Sequence, residues 1–355
     1  MKTFYSSILF TLASLIVAFF VGYFDRTSVE PSIELGLKAV FIAFVLTVLE
    51  ISLSFDNAVV NASVLQKMSP TWQRRFLTWG ILIAVFGMRL IFPLAIVAVI
   101  ADIGPLSALK LSMFEPKKYS EIMLSTHHMV SAFGGAFLFL VCLRYFFDPK
   151  KETHWISGIE KLLSRLGKME ALELALVLMM FIFLSKLLPS DQQMEYLYAA
   201  IWGIVVFVLV DGLASLFETE DNEAVDVNKV VASGGLGLFL YLEVLDASFS
   251  FDGVVGAFAI TQNLFIIMLG LGSGAFFVRS MTIYLVEKKT LHQFAFLEHG
   301  AFWAIGALGL IMIASPFLHV SEWITGFVGV LILALSIWSS RRHSRAEVSG
   351  SSRAK

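Results

Sequence analysis

The sequence predicts an all-α fold: a polytopic transmembrane helical bundle of about ten helices, containing two inverted three-helix repeats. Three observations carry that expectation. First, charged residues are 15 % of the 355-residue chain and hydrophobic residues 57 %. Soluble proteins carry about 25 % charged residues, so most of this surface must face lipid. Second, apolar windows long enough to cross a bilayer recur at 6–23, 36–53, 76–101, 126–147, 171–189, 195–217, 230–247, 263–286, 294–315 and 321–339. Third, the acidic stretch EISLSFDNAV at 50–59 returns as DASFSFDGVV at 246–255.

The first span lies within residues 1–30, behind Lys2. Its apolar run of about 18 residues is long for a signal peptide and sufficient to span. No A-x-A site precedes Asp25, so a retained helix is expected. Residues 31–147 form the first repeat. Residues 148–229 hold two linking spans and a segment at 152–168 that reads either as an amphipathic surface helix or as a solvated connector. Residues 230–340 form the second repeat, and 341–355 a basic tail expected to be disordered. Pro93 is expected to kink its span.

Composition narrows the function. The single cysteine, Cys142, excludes a disulfide framework and argues against a cysteine zinc site. A net charge of −2 without a basic patch gives no reason to expect nucleic acid. No G-x-x-x-x-G-K-[S/T] loop is present, so any energy must come from gradients or another subunit. The first partner is the lipid bilayer, and an apolar surface of this kind is compatible with homo-oligomers. The expected location is the plasma membrane, the inner membrane in a bacterium. Basic residues cluster at 67–75, 150–168, 288–289 and 341–355. Ten crossings put all four groups and both termini on one side, expected to be the cytoplasm. Lys110, Lys117 and Lys118 fall on the other side, against the rule.

The two motifs align as [E/D]-x-S-x-S-F-D-[N/G]. Glu50 matches Asp246, Ser52 matches Ser248, Ser54 matches Ser250, Asp56 matches Asp252, and Asn57 matches Gly253. Weaker similarity pairs Arg89 with Arg279 and His127 with His299. The units 31–147 and 230–340 begin on opposite sides of the membrane, so they are inverted copies. Inverted repeats with polar groups in interrupted helices near the midplane are a transporter signature.

A buried ionisable group costs about 2.5–3.5 kcal/mol at the bilayer centre on insertion scales. The acids Glu50, Asp56, Asp246 and Asp252 therefore need a cation, protons or basic partners. Glu50 and Asp56 lie about 120° apart on an ideal helix, so both reach one ligand only if the helix unwinds or a cleft separates them. Carboxylate, hydroxyl and amide are hard oxygen donors, suited to Mn²⁺, Mg²⁺ or Ca²⁺. The candidate metal ligands are Glu50, Asp56, Asn57, Asp246 and Asp252. Ser52, Ser54, Ser248, Ser250 and Glu243 are additional candidates, and His127 and His299 would add nitrogen ligands that favour Mn²⁺. Arg89 and Arg279 are candidate charge-compensating groups, which leaves open internal salt bridges that merely lock the bundle. No prosthetic group is expected.

The motif residues resemble the TerC family of integral membrane proteins, within the LysE-like transporter group. The family's first motif looks like E-x-x-L-G-x-D-N, here EISLSFDN, with Ser54 replacing Gly. Its second is similar to D-x-x-F-A-x-D-S-I-P-A-x-F-A-I-T, here DASFSFDGVVGAFAIT, with Gly253 and Gly256 replacing Ser and Pro. The resemblance covers about 36–145 and 230–340, and the replacements mark a divergent branch of unknown function. It implies a divalent-cation exporter, Mn²⁺ foremost, and a link to tellurite resistance. A site lined by acids disfavours direct binding of the tellurite anion. The leading expectation is a secondary transporter exchanging the cation for protons, and not an enzyme. The alternatives are a membrane-embedded stress-response or assembly protein without transport, and an intramembrane aspartyl protease using Asp56 and Asp252.

Overall fold

The structure is a computed structural model describing residues 2–24, 30–151, 153–169, 171–216, 227–288, 293–318, 320 and 322–353, with the side chains at 2–3, 214–216, 227–234, 251–252, 322–323 and 344–353 outside that description. The acidic loop at 218–226 thus lies outside the described residues. Every regular element described is helical. In chain order these are α1 (Lys2–Tyr23), α2 (Ile33–Leu53), α3 (Phe55–Leu65), α4 (Pro70–Ile100), α5 (Pro105–Phe114), α6 (Pro116–Ser125) and α7 (His127–Phe146). There follow α8 (Ser157–Leu166), α9 (Leu172–Ser185), α10 (Gln193–Leu216), α11 (Val227–Ile260), α12 (Leu264–Glu287), α13 (Leu297–Ala314) and α14 (Glu322–Arg353).

Among the described residues, 8 helices are long and apolar enough to cross a membrane: α1, α2, α4, α7, α10, α12, α13 and α14. One of the ten expected spans is short. Helix α9 has 14 residues, about 21 Å of helix against a core of about 30 Å. Helix α11 has 34 residues and contains the expected span at 230–247, whose first side chains lie outside that description.

Local chemistry sets the helix ends. Ser32 caps α2 by accepting the Leu35 N–H, and Asn263 caps α12 by accepting those of Phe265 and Ile266. Proline opens α4, α5 and α6, where its missing N–H costs nothing. Pro93 acts differently. It leaves the Arg89 carbonyl without its usual donor and crowds it. The chain responds with a π-helical stretch at Ile83–Ile91, in which the Phe92 N–H reaches back to Gly87. Arg89 sits inside that stretch.

Contacts fix the relative helix directions. Asn57 on α3 meets Asp246 on α11, and Glu50 on α2 meets Gly253 on α11. Gly80 and Val85 on α4 meet Arg279 and Gly272 on α12. Gly135, Cys142 and Tyr145 on α7 meet Ile313, Gly306 and Phe302 on α13. Each of the three helix pairs that the sequence repeat aligns therefore runs antiparallel, as inverted copies must. Cys142 is buried against Gly306.

One end of the bundle collects Lys67, Arg144, Lys150 and Lys151, and is called the basic end below. Here α8 is amphipathic. Its Glu160 is buried, accepting the Trp155 and Ile156 N–H groups and the Trp303 indole, while Ile159 and Leu162 face outward. Beside it, Lys151 Nζ lies 3.0 Å from the Tyr145 ring centroid. Burial pushes this ammonium down from 10.5 to about 7, against the pull of Glu160 and Glu298. The unfolded chain therefore holds a proton between about pH 7 and 10.5 that the folded chain has released. Stability should rise with pH across that window. Thermal unfolding in detergent is expected to lose this rise in Lys151→Met; an unchanged slope would assign it to another group.

The tail departs from its expected disorder, since α14 continues as helix through Arg353. Extending an existing helix avoids the nucleation cost; Arg345, Ala346 and Glu347 favour it, whereas Ser349, Gly350, Ser351 and Ser352 do not.

Candidate functional site

The first motif sits at a helix break. Helix α2 ends at Leu53, and Ser54 adopts φ −103°, ψ 20° before α3 starts at Phe55. The break falls between Glu50 and Asp56, so both carboxyl groups point into the bundle. The free N-terminus of α3 adds partial positive charge beside Asp56, and the Asn57 N–H donates to Asp56 Oδ1 at 2.9 Å. The second motif behaves differently. Helix α11 runs unbroken through Ser250, so the expectation of two broken helices holds only for the first.

Two cavities adjoin the break. One, of about 20 Å³, is lined by Glu50, Ser54, Asp56, Gly253, Thr325 and Gly329, among others. The other, of about 10 Å³, is lined by Glu50, Asn57, Asn61, Arg89, Asp246 and Arg279, among others. Volumes of this size admit about one water-sized species. Glu50 borders both. Its position depends on Gly274, where a Cβ would stand 2.6 Å from the Glu50 Cγ and 2.9 Å from the Thr47 carbonyl.

The acids and arginines pair as the sequence repeat aligns them. Arg89 donates to Glu50 Oε1 through Nη2 and to the Ala84 carbonyl through Nη1. Ser54 Oγ donates to the same Glu50 oxygen at 3.1 Å. Arg279 lies 3.7 Å from Asp246 and 4.0 Å from Glu243. It also donates to the Gly80 carbonyl at 3.0 Å and covers the Phe76 ring. Across the two halves, Asn57 Nδ2 donates to Asp246 Oδ1 at 2.6 Å. Four carboxyl groups, on Glu50, Asp56, Glu243 and Asp246, are thus buried with two guanidinium groups, which pair with three of them. Asp56 makes no ion pair among the described residues. The Asp252 backbone continues α11, but its side chain lies outside the described residues.

Several candidates lie elsewhere. Ser52 is exposed on the outer face and bonds the Val48 carbonyl, because two residues of α2 turn it about 200° away from Glu50. Ser248 is buried and bonds the Val244 carbonyl, whereas Ser250 Oγ is buried with no partner. Neither histidine joins the acids. His299 belongs to the basic end, bonded to the Thr153 carbonyl at 2.8 Å and 3.7 Å from Glu160. His127 begins α7 at the opposite end, beside Ser131. Because α7 and α13 are antiparallel, their matching first residues are placed a membrane apart. Among the described residues, no group of three or more His, Cys, Asp or Glu side chains is arranged to hold one metal ion. The reading of the motifs did not single out Asn61, which borders the smaller cavity with its Oδ1 buried and unpartnered. Its position four residues after Asn57 was the available signal.

Apolar spans around a buried polar centre define an integral membrane protein. Residues 55–347 match the model of a family described as protein of unknown function (DUF475), and the chain belongs to that family. The match includes Asp56, Asn57, Arg89, Asp246 and Arg279, and begins five residues after Glu50. No curated protein and no solved structure matches the chain.

Proposed function

We propose that the chain is a secondary transporter that exports a divalent cation, Mn²⁺ foremost, in exchange for protons. The observation that carries this reading is the excess of buried carboxyl groups over guanidinium groups at a broken membrane helix. Such a centre gains from taking up positive charge. Glu50, Asp56, Asn57 and Asp246 offer only hard oxygen donors, which suit Mn²⁺, Mg²⁺ or Ca²⁺. The same carboxylates accept protons when the cation leaves, so one set of groups serves both substrates. Arg89 meanwhile supplies Glu50 with positive charge, and metal ligation by Glu50 requires that pair to loosen. The resemblance of both motifs to TerC proteins supports the choice of Mn²⁺ and of export. The basic end would then face the cytoplasm. The test is Mn²⁺ flux in proteoliposomes under an imposed pH gradient. Gradient-driven flux above that of protein-free vesicles is expected; flux equal to that control with folded protein would overturn the reading.

A further inference from the structure

Resting on that transport reading, we propose that the large cleft at the basic end is the mouth through which the acidic cavities exchange their cation. It is closed in this conformer by a single layer made of Val64 and Leu242. The cleft has a volume of about 820 Å³. Its inner wall includes Ser63 and Val64 of α3, and Leu238 and Tyr241 of α11. These are the two helices that meet at Asn57 and Asp246.

Helical spacing connects the two places. On α3, Asn57, Asn61 and Val64 follow one another at four and three residues, so they share a face. On α11, Asp246, Leu242 and Leu238 do the same at intervals of four. The helices run antiparallel, so the stripes face each other from the acidic cavity to the cleft. Asn61 borders the cavity and Val64 borders the cleft. Three residues of helix separate them, about 4.5 Å along the axis. Val64 and Leu242 belong to one buried apolar cluster.

The path to this layer is polar. The side-chain oxygens of Asn57 and Asn61 are both buried without a hydrogen-bond donor. An amide oxygen left so is costly in a fixed core, and a passing cation or its water would satisfy it. On the far side of the acids the barrier is thicker. Beyond Gly253, α11 buries Val254, Val255, Ala257 and Phe258 against Leu46, Tyr119 and Met123. The thin layer therefore lies toward the basic end.

The experiment uses the full chain in proteoliposomes, in a Cys142→Ala background, with a charged, membrane-impermeant methanethiosulfonate reagent. Asn61→Cys should react slowly, and adding Val64→Gly should raise the rate by an order of magnitude, for reagent on the basic side only. Val64→Ala gives a milder variant should the glycine impair folding. Equal rates with and without the Val64 change would overturn the proposal. Complete modification of Ser63→Cys should block Mn²⁺ flux, whereas modification of the exposed control Gly158→Cys should not. Flux that survives at Ser63→Cys would also overturn it. Wild-type protein with no Mn²⁺ flux would sink the transport reading instead, and the Asn61→Cys rates would still decide whether cleft and cavity connect.

Discussion

Asp56→Asn is expected to abolish Mn²⁺ transport and at the same time to raise the thermal stability of the protein. The two effects have one cause. Asp56 is 4 % exposed, its carboxyl is held by backbone N–H groups at the start of α3, and among the described residues no basic side chain pairs with it. A charge in that position has only the backbone dipoles at the start of α3 to offset it. Asparagine keeps the shape and the acceptor oxygen, so the start of α3 stays satisfied while the buried charge disappears. The relief should be about 1–3 kcal/mol, the scale of an uncompensated buried polar group. Transport fails because the amide takes up neither a proton nor the charge of a cation. Proteoliposome flux and thermal unfolding in detergent, run on the same preparation, check both halves. Retained flux would remove Asp56 from the site, and a loss of stability would mean its charge is compensated by groups not identified above.

Arg89→Gln should act in the opposite direction, lowering stability by about 3–5 kcal/mol, as when one member of a buried ion pair is removed. Arg89 and Glu50 are both almost fully buried and hydrogen-bonded to each other. Removing the guanidinium leaves the Glu50 carboxylate with only the Ser54 hydroxyl. Adding Glu50→Gln should restore most of the loss, since the orphaned charge then goes too. Equilibrium unfolding of the two single variants and the double variant gives the coupling directly. Independent, additive effects would contradict the pairing. The aligned change Arg279→Gln should cost less. Arg279 stands farther from its carboxylates, at 3.7 and 4.0 Å, and Asp246 would keep the Asn57 donor.

The sequence made the helical class and the polar centre legible because both rest on residue type. Acids inside apolar windows need compensation wherever they occur. It also paired Arg89 with Arg279, and each is found beside the acid of its own repeat. The histidines show why alignment alone misled. In an inverted repeat, aligned residues approach each other only near the middle of the membrane. Glu50 and Asp246 line one cavity, whereas His127 and His299 stand in the first turns of antiparallel helices and are carried to opposite ends. The asymmetry of the two motifs was hidden for a subtler reason. Ser54, at the junction of α2 and α3, bonds the long Glu50 side chain. The aligned Ser250 has the shorter Asp246 in the matching place, which is held by Asn57 and Arg279, and its own hydroxyl has no partner within the continuous α11. Likewise Pro93 signalled a distortion, but not that a π-helical stretch would carry Arg89 to Glu50.

Whether the two motifs form one cation site is decided by calorimetric titration of purified, folded protein with Mn²⁺, comparing wild type with Asp56→Asn and Asp246→Asn. Saturable binding is expected in the wild type and its loss in both variants, which would place the two motifs in one cation site. No binding to folded wild-type protein, or binding unchanged in both variants, would contradict it.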